Sequence, residues 1–501
     1  MTKHNFVQAC VALAVAVAFA PAVNAAPEKV DTKTCVACHS NIGGFHKSGA
    51  HKKISCTSCH SGLTKHVSAP SKDTRPVTSM DPKTCGSCHP AQFNSMYKIN
   101  EERIPRFSKK NSASVAPNPF FDRALGAHGF TKEHDLPRSH AFAALDQYLC
   151  DRAFGGRFEP KEGWMYLGQG DGAFRVWDVI NDKYPEDNAQ KPRRAGTAAA
   201  GNPVCWTCKS TDLMLDWAYL GEKHPEAKFS RQSNVVDVMR SINHAVNCNF
   251  CHDPHSTQPR IVRDGLIQAL TRTDIPSLYS EDPKATKINV IDMGVRGFTR
   301  KIATMEKADS KLMCAQCHVE YNCNPGFDPK TGKAIGMSDV RTNLFPFVDV
   351  TKIDDFYAKV GFKDFKHNVT GAALTKMQHP DVETYWNSTH DKAGVGCADC
   401  HMPKMKDKKT GKVYTPSHWS TTPRHYMKQT CLQCHKDKTE KQLNRVIDGM
   451  KGYYDGKLRE AESRMTDMFN AFDLALAMGV SDEVLNQARE LHSVAHTNWE
   501  W

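Results

Sequence analysis

The sequence predicts a mainly α-helical fold with long loops and two long helices at its C-terminal end. Three observations carry this prediction. A CxxC pair occurs eight times in the chain, apolar residues recur at three- and four-residue spacing from about residue 436, and 24 histidines are present. The chain has 501 residues, of which only 40% are hydrophobic, and this length suits two or three domains. The cysteine pairs therefore have to be explained first, because they bear on what fills the core.

A basic residue follows every CxxC pair directly, and it is histidine in seven pairs and lysine in one. The histidine units are Cys35/Cys38/His39, Cys56/Cys59/His60, Cys85/Cys88/His89, Cys248/Cys251/His252, Cys314/Cys317/His318, Cys397/Cys400/His401 and Cys431/Cys434/His435, and the lysine unit is Cys205/Cys208/Lys209. In a C-x-x-C-H unit the thiols bind the two vinyl groups of one haem, and the histidine ligates the iron. A disulfide scaffold suits a small chain without a fixed residue after each pair, and zinc needs paired CxxC units or further histidines. The units therefore predict eight covalently bound haem c groups and a multihaem c-type cytochrome with a haem-packed core.

The formal net charge of +11 does not indicate a nucleic-acid partner. Eight haems with two propionates each would add about 16 negative charges, which brings the assembled protein near neutrality. The sequence also lacks a basic patch interleaved with aromatic residues. We expect no nucleic acid among its partners.

The chain has more histidines than the predicted haems need as iron ligands. Seventeen histidines lie outside the CxxC units, and a second ligand for seven haems would use seven of them. For any one of these histidines, a surface or supporting position stays an alternative.

Lys209 marks an exceptional unit. A lysine binds iron only as the neutral amine, and an amine donor changes the electronics of the opposite iron face. The Lys209 haem is therefore the best candidate for an open distal position that takes a substrate. The alternative is a degenerate haem unit or a plain CxxC pair.

Residues 1–26 are typical of a secretory signal peptide. A basic start precedes an apolar run from Phe6 to Ala20, and small residues follow. A membrane anchor is the alternative, although the run is short of the ~20 residues that span a bilayer. No later segment is apolar enough, so we expect an exported, periplasmic protein without a membrane span in its mature form.

Composition divides the mature chain into three parts: an N-terminal three-haem domain at residues 27–118, a catalytic five-haem domain at 119–435 and a long-helix segment at 436–501. The segment 109–119 is polar and contains proline, which suits a linker. The glycine-rich stretch 166–174 is interpreted as a turn, because it does not have the pattern of a nucleotide loop.

Several segments resemble the cytochrome c nitrite reductases, and the match runs in the order found in that family over residues 120–435. The segments are "LPRSHAF" (136–142), "CWTCKS" (205–210), "CAQCHVEY" (314–321), "KMQHPDVETYW" (376–386) and "STHDKAGVGCADCHMPK" (388–404). Three CxxCH units upstream make the chain similar to the octahaem members. The resemblance implies six-electron reduction of nitrite to ammonia, with hydroxylamine and sulfite as further substrates and a quinol-linked electron donor. An octahaem tetrathionate or hydroxylamine enzyme and an electron carrier without an open site stay as alternatives.

The resemblance also implies site residues. Lys209 corresponds to the proximal ligand of the catalytic haem, with Arg138, Tyr321 and His379 over its open face and Gln378 supporting them. A calcium ion would be held by the Glu320 carboxylate, the Tyr321 and Lys376 carbonyls and Gln378. Distal haem ligands correspond to His140, His390 and His418. Cys323 lies two residues after Tyr321, where octahaem members carry a Tyr–Cys thioether; a free thiol is the alternative.

Residues 436–501 are expected to form two amphipathic helices that break at "GVSDE", with Ser481 as the cap of the second. In the resembled family such helices form much of the subunit interface, which implies a homo-oligomer; packing within the subunit alone is the alternative. The family's chain continues beyond the segment ending at Trp501 and supplies another distal histidine, so the chain is expected to be truncated relative to the family.

Overall fold

Short helical turns separated by irregular segments make up most of this computed structural model until two long helices end the chain. The structure describes residues 28–98, 140–144, 203–234, 237–238, 241–294, 296–406, 411, 413–414 and 417–501. The signal peptide at 1–26, the linker at 109–119, the predicted boundary at residue 118 and the glycine-rich stretch 166–174 lie outside the described residues. Arg138 also lies outside them.

Helices dominate the described secondary structure, which confirms the predicted mainly helical fold. The α-helices are Thr32–Cys38, Ser40–Ser48, Leu63–Ser68, Pro82–Gly86, Pro90–Phe93, Pro203–Trp206, Leu213–Asp216, Cys248–Cys251, Asp264–Thr271, Leu278–Glu281, Ser310–Cys314, Ile353–Val360, Asp381–Tyr385, Thr389–Lys392, Cys397–His401, Cys431–Cys434, Glu440–Ala477 and Asp482–Glu500. Turns of 3-10 helix are Ala50–Lys53, Cys56–Ser58, His140–Phe142, Tyr219–Gly221, Val340–Asn343, Val350–Lys352 and Pro423–Tyr426, and Asn94–Lys98 is a π-turn.

Strands are short, and all the described pairs are antiparallel. One three-stranded sheet has Lys301–Met305 between Arg260–Ile261 and Ile288–Asp292, with Val290 opposite Ala303. The remaining strands form two-residue pairs: His60–Ser61 with Val77–Thr78, Gly326–Phe327 with Ala334–Ile335, Phe365–Lys366 with Ala373–Leu374, and Met405–Lys406 with Val413–Tyr414.

Contacts divide the chain into two units. Among the described residues, the smaller comprises 28–44 and 53–79, and the larger comprises 45–52 and those from 80 to 501. Within the smaller unit, the Glu28 carboxylate accepts the Leu63 backbone N–H at 2.9 Å and so ties the start of the described chain to a helix. The larger unit holds six of the eight CxxC units and both long helices.

The main core of the larger unit combines aliphatic residues with a group of large aromatic side chains, called here the aromatic core. Trp206, Tyr321, Phe345, Phe347 and Trp386 are all buried in one cluster. Phe347 and Trp386 meet edge to face with ring centres 5.6 Å apart, a favoured aromatic arrangement. This cluster surrounds the Cys205–Lys209 unit and so fixes its position.

Two long helices end the chain as predicted. Helix Glu440–Ala477 begins with a reciprocal cap, in which Thr439 and Gln442 each bond the other's backbone N–H. Helix Asp482–Glu500 has Ser481 at its N-cap, as predicted, although the Ser481 side chain makes no capping hydrogen bond. In the described part of the chain, no helix has the length and apolar character needed to cross a bilayer.

Candidate functional site

Most of the CxxCH units share one local geometry. A polar side chain just ahead of the unit accepts a backbone N–H and starts the turn: Asp31 accepts from Lys33, Asp81 from Lys83, Asn247 from Asn249 and Asp309 from Lys311. The histidine N–H then donates to the carbonyl of the first cysteine, as Cys314 accepts from His318 at 2.9 Å. The same bond closes the units that end in His39, His89, His252 and His435. One tight turn therefore presents both thiols and the histidine together.

The second cysteines of two N-terminal units lie just beyond the helical residues that carry the first. The turn Cys56–Ser58 ends before Cys59, and helix Pro82–Gly86 ends before Cys88. Each N–H still donates to the carbonyl of the first cysteine of its unit, at 3.2 Å for Cys59 and 3.1 Å for Cys88. The Cys59 thiol is half-buried and the Cys88 thiol is exposed. The structure thus keeps both thiols within their units, and their attachment to haem stays a prediction.

Five of the seven CxxCH histidines face a second histidine that lies outside any CxxC unit. The ring centres are 6.3 Å apart for His39/His66, 6.3 Å for His89/His51, 6.2 Å for His318/His140, 6.3 Å for His252/His418 and 6.2 Å for His435/His390. These five separations agree within 0.1 Å, although the rings come from unrelated segments. A common object between the rings would explain the agreement.

An iron atom between the rings fits this spacing. A metal–imidazole bond of about 2.0 Å and a nitrogen-to-ring-centre distance of about 1.1 Å, each counted twice, give about 6.2 Å. The residues therefore fit haem iron with two histidine ligands at five positions.

Iron ligation requires a neutral imidazole, and the surroundings favour it. The pKa of His140 is lowered to about 4, although the residue is exposed at the surface of the described chain. Loss of solvation is the main cause, and His318, Lys209 and His418 add to it. Burial likewise lowers the pKa of His252. These rings are ready to bind a metal without losing a proton first.

Lys209 belongs to a unit that is built differently. Cys205 and Cys208 are 4% and 3% exposed, whereas every other CxxC unit keeps both of its thiols at least partly accessible. The Lys209 N–H donates to the Trp206 carbonyl at 2.9 Å, three residues back, so the turn is tighter than in the histidine units. The unit is therefore held inside the aromatic core.

Two predicted pocket residues lie beside this unit. Tyr321 and His379 have ring centres 5.5 Å apart, and Cys323 places its sulfur 3.7 Å from the Cys205 sulfur. Two groups that can donate protons thus meet next to the lysine unit. Arg138, the third predicted pocket residue, lies outside the described residues, and the Tyr321–Cys323 link stays a prediction.

Glu320 anchors the segment that carries the pocket. Its buried carboxylate accepts the Tyr357 hydroxyl at 2.9 Å and the Gln378 backbone N–H at 2.6 Å. Burial raises the pKa of Glu320 to about 8 in spite of these bonds. A divalent cation would favour the ionised carboxylate, so the residues fit the predicted calcium.

The other predicted calcium donors are mostly backbone or amide oxygens. The Lys376 backbone N–H donates to Asp364 at 2.8 Å, and the Gln378 amide lies 3.8 Å from the Cys323 sulfur. Within the described ranges, no group of three or more His, Cys, Asp or Glu side chains could hold a metal. This does not conflict with the predicted set, because Glu320 is its only member of those types.

Thiols of different CxxC units meet in pairs within the larger unit. Cys85 contacts Cys248, Cys314 contacts Cys397, and Cys208 contacts Cys317. In the smaller unit, Cys35 contacts Cys56. Haems bound at adjoining units would lie close together, as electron transfer between them requires.

Two of the paired histidines were not singled out by sequence reasoning. His51 and His66 were ordinary members of the surplus, and only their facing positions opposite His89 and His39 distinguish them. No spacing signal in the sequence identifies them. A partner for His401 is not found among the described residues, where its ring nitrogen bonds the Thr421 carbonyl at 2.9 Å.

Comparison with known proteins gives a family match and several relatives. A family model described as cytochrome c552 matches residues 175–501. The cytochrome c-552 of Haemophilus influenzae strain 86-028NP is 26% identical over 395 residues, covering 77% of this chain. The cytochrome c nitrite reductase subunit NrfA of Nitratidesulfovibrio vulgaris Hildenborough is 29% identical over 319 residues, covering 60% of this chain. The match spans 61% of the length of the first relative and 53% of the second.

A solved structure shares the fold. It is the catalytic subunit NrfA of the cytochrome c nitrite reductase of Desulfovibrio desulfuricans ATCC 27774, described with two calcium sites. The TM-score is 0.54 at 21% identity, and the alignment covers 84% of this chain and 79% of the other. The likeness supports a multihaem fold for the described chain.

Proposed function

Because the chain belongs to the cytochrome c552 family, we propose that it reduces nitrite to ammonia at a haem bound by Cys205 and Cys208. The observation that carries the proposal is the buried lysine unit beside Tyr321 and His379. The relatives named as nitrite reductases add support.

We propose eight covalently bound haem c groups. The haem held by Cys205, Cys208 and Lys209 would supply the redox chemistry of nitrite reduction, with Lys209 as a ligand to its iron. The five histidine pairs would hold haems that are closed on both faces and suited to carrying electrons. Haems at contacting units, such as those of Cys317 and Cys208, would deliver the six electrons.

Protein groups would handle charge and protons. Arg138 and His379 would donate hydrogen bonds to the nitrite oxygens and so stabilise the charge that develops as an N–O bond breaks. Tyr321, whose ring centre lies 5.5 Å from that of His379, would donate a proton. Glu320, Lys376, Gln378 and the Tyr321 carbonyl would hold calcium and keep this segment in place. A Tyr321–Cys323 thioether would fix the ring further.

We also propose export through a signal peptide at 1–26, a periplasmic location and a quinol-linked donor. Assembly through the long helices is supported by exposed apolar side chains on helix Glu440–Ala477: Val446 is 54% exposed, Met450 56%, Tyr453 63% and Tyr454 62%. Apolar side chains at this spacing on one long helix are typical of a helix–helix interface.

The test is an anaerobic assay with a reduced viologen dye. Nitrite, hydroxylamine, sulfite and tetrathionate are compared, and ammonium is measured. We expect ammonium from nitrite and hydroxylamine, with slow sulfite reduction. Tetrathionate turnover far above ammonium formation would replace the proposal with the tetrathionate class, and no turnover of any substrate would favour an electron carrier.

A further inference from the structure

A recess next to the buried lysine unit is not explained by the reaction. It has about 410 Å³ of empty space, which includes its open mouth. Aromatic side chains form part of its wall, and its charged lining residues are Arg263, Asp264, Arg300 and Lys301. Three cations and one carboxylate therefore face a largely apolar space.

Arg263 is fully satisfied within the protein. Its guanidinium pairs with Asp264, donates to the Asn343 side-chain oxygen at 3.0 Å and reaches the Cys208 sulfur at 3.2 Å. The one carboxylate of the recess is thus committed to Arg263 and to Trp217, whose indole N–H donates to it at 2.9 Å. Asp264 therefore does not neutralise Arg300 or Lys301, the other two cations of the recess.

Arg300 is not satisfied in this way. Among the described residues its guanidinium makes no ion pair, and its buried Nη1 has no hydrogen-bond partner. The nearby Arg296 and Arg260 are paired at 3.0 Å with Asp216 and Asp253 respectively. Burial, followed by repulsion from these two arginines, lowers the pKa of Arg300 to about 10, and Asp216 and Asp292 offset this only in part.

Lys301 adds a second positive charge at the same recess. Its ammonium lies 4.4 Å from the centre of the Tyr219 ring, a cation–π contact that holds the group over the wall without neutralising it. An unpaired guanidinium in a low-dielectric recess is costly unless an anion joins it. We propose that the recess is a binding site for a small oxyanion or carboxylate, with Arg300 as its anchor and Lys301 as its second cation.

Such a group could come from a free anion or from a haem propionate. Thr207 and Phe250, which line the recess, lie between the cysteines of two CxxC units. Either source would offer the same carboxylate or oxyanion chemistry to Arg300 and Lys301, and the experiment below distinguishes them.

Selenate is a suitable probe, because it resembles sulfate and gives an anomalous X-ray signal. Binding to the fully haem-loaded protein is measured by calorimetry at low ionic strength, and the site is located in selenate-soaked crystals. We expect one anomalous peak beside Arg300 and Lys301. Arg300→Met should weaken selenate binding at least tenfold, and Arg300→Lys, which keeps a charge, should weaken it less.

Arg296→Met is the matched control. Arg296 belongs to the same arginine cluster but does not line the recess, and its loss removes one repelling charge from Arg300. Selenate binding should change less than threefold in this variant. Absorbance and haem content check that each variant is loaded and folded.

The two sources give different results. Selenate binding that depends on Arg300 identifies a free-anion site. If wild type binds no selenate but Arg300→Met lowers the midpoint potential of one haem, the occupant is a propionate. If selenate does not bind at the recess and no potential changes, the proposal is wrong. None of these outcomes depends on nitrite turnover.

Discussion

Two cysteine units lie side by side in this chain and are built differently. The Cys314–His318 unit begins at the Asp309 cap and ends with a histidine whose surface is exposed. The Cys205–Lys209 unit is enclosed by the aromatic core and ends in a tighter turn. Yet Cys317 and Cys208 are in contact. The difference teaches that a capped turn with an exposed histidine suits a haem bound by two histidines, whereas the unit where chemistry is expected has both cysteines buried.

Replacement of Lys209 should have the largest effect on nitrite turnover, because it removes the residue that distinguishes the two units. We expect Lys209→Ala to lower nitrite turnover by roughly 10³-fold, because the proposed ligand of the reactive iron is lost. Haem content by absorbance and mass should stay at the wild-type value. Lys209→His is the matched variant: it converts the unit to the common type and should retain more activity than Lys209→Ala. Full turnover in Lys209→Ala would contradict the assignment.

Replacement of His379, which lies near the lysine unit, should have the second largest effect on nitrite turnover. His379→Asn should lower turnover by about 10²-fold, because a positioned proton donor is removed from beside Tyr321. His425→Ala serves as the control, since His425 stacks on Trp419 instead of facing a motif histidine. Turnover is measured as ammonium produced. Equal losses of turnover in both variants would show that His379 has no special role.

Removal of the second histidine ligand should expose the iron of a haem that is predicted to have two histidine ligands. His418→Ala removes the ring 6.3 Å from His252 and should create a new high-spin signal in electron paramagnetic resonance. Turnover should fall only about tenfold, because electron delivery is impaired while the lysine unit is intact. If no new high-spin signal forms, His418 is not the partner of His252.

Calcium and pH act together at Glu320. Its pKa is about 8 in the folded chain, against an ordinary value of 4.5, so the folded state keeps a proton that the unfolded state releases. Stability should therefore fall as pH rises from about 4.5 to about 8 when calcium is chelated. We expect a steeper fall of Tm in wild type than in Glu320→Gln, and saturating calcium should abolish the difference. Parallel curves in chelator would show that Glu320 is not responsible.

The smallest effect concerns the cap of the histidine unit. Asp309 accepts the Lys311 backbone N–H at 2.8 Å, and Asp309→Ala should cost about 1 kcal/mol of unfolding free energy. The response of the lysine-unit haem to nitrite should be unchanged. A loss of that response would show that the two neighbouring units are not independent.

Local sequence was enough to predict the helical fold and the long C-terminal helices. CxxC turns, caps and amphipathic spacing are properties of a few consecutive residues, so they can be read directly. The break before Asp482 was predicted from "GVSDE", but Ser481 does not make the capping bond, because hydroxyl geometry depends on more than residue type.

The histidine pairing could not be derived from spacing. His418 meets His252, and His140 meets His318, across long stretches of chain, and the sequence carries no signal of such register. Resemblance singled out His140, His390 and His418 but gave no reason to choose His51 or His66. The anion recess could not be predicted from the sequence either. Arg300 is distinguished only because its Nη1 has no hydrogen-bond partner among the described residues.

The most direct test of the central claim is electron paramagnetic resonance of the oxidised, fully loaded protein during nitrite titration. One haem per chain should give a high-spin signal that nitrite shifts, and Lys209→His should alter that signal while leaving the low-spin haems unchanged. Eight low-spin haems that ignore nitrite, in a chain with all eight haems inserted, would contradict the account.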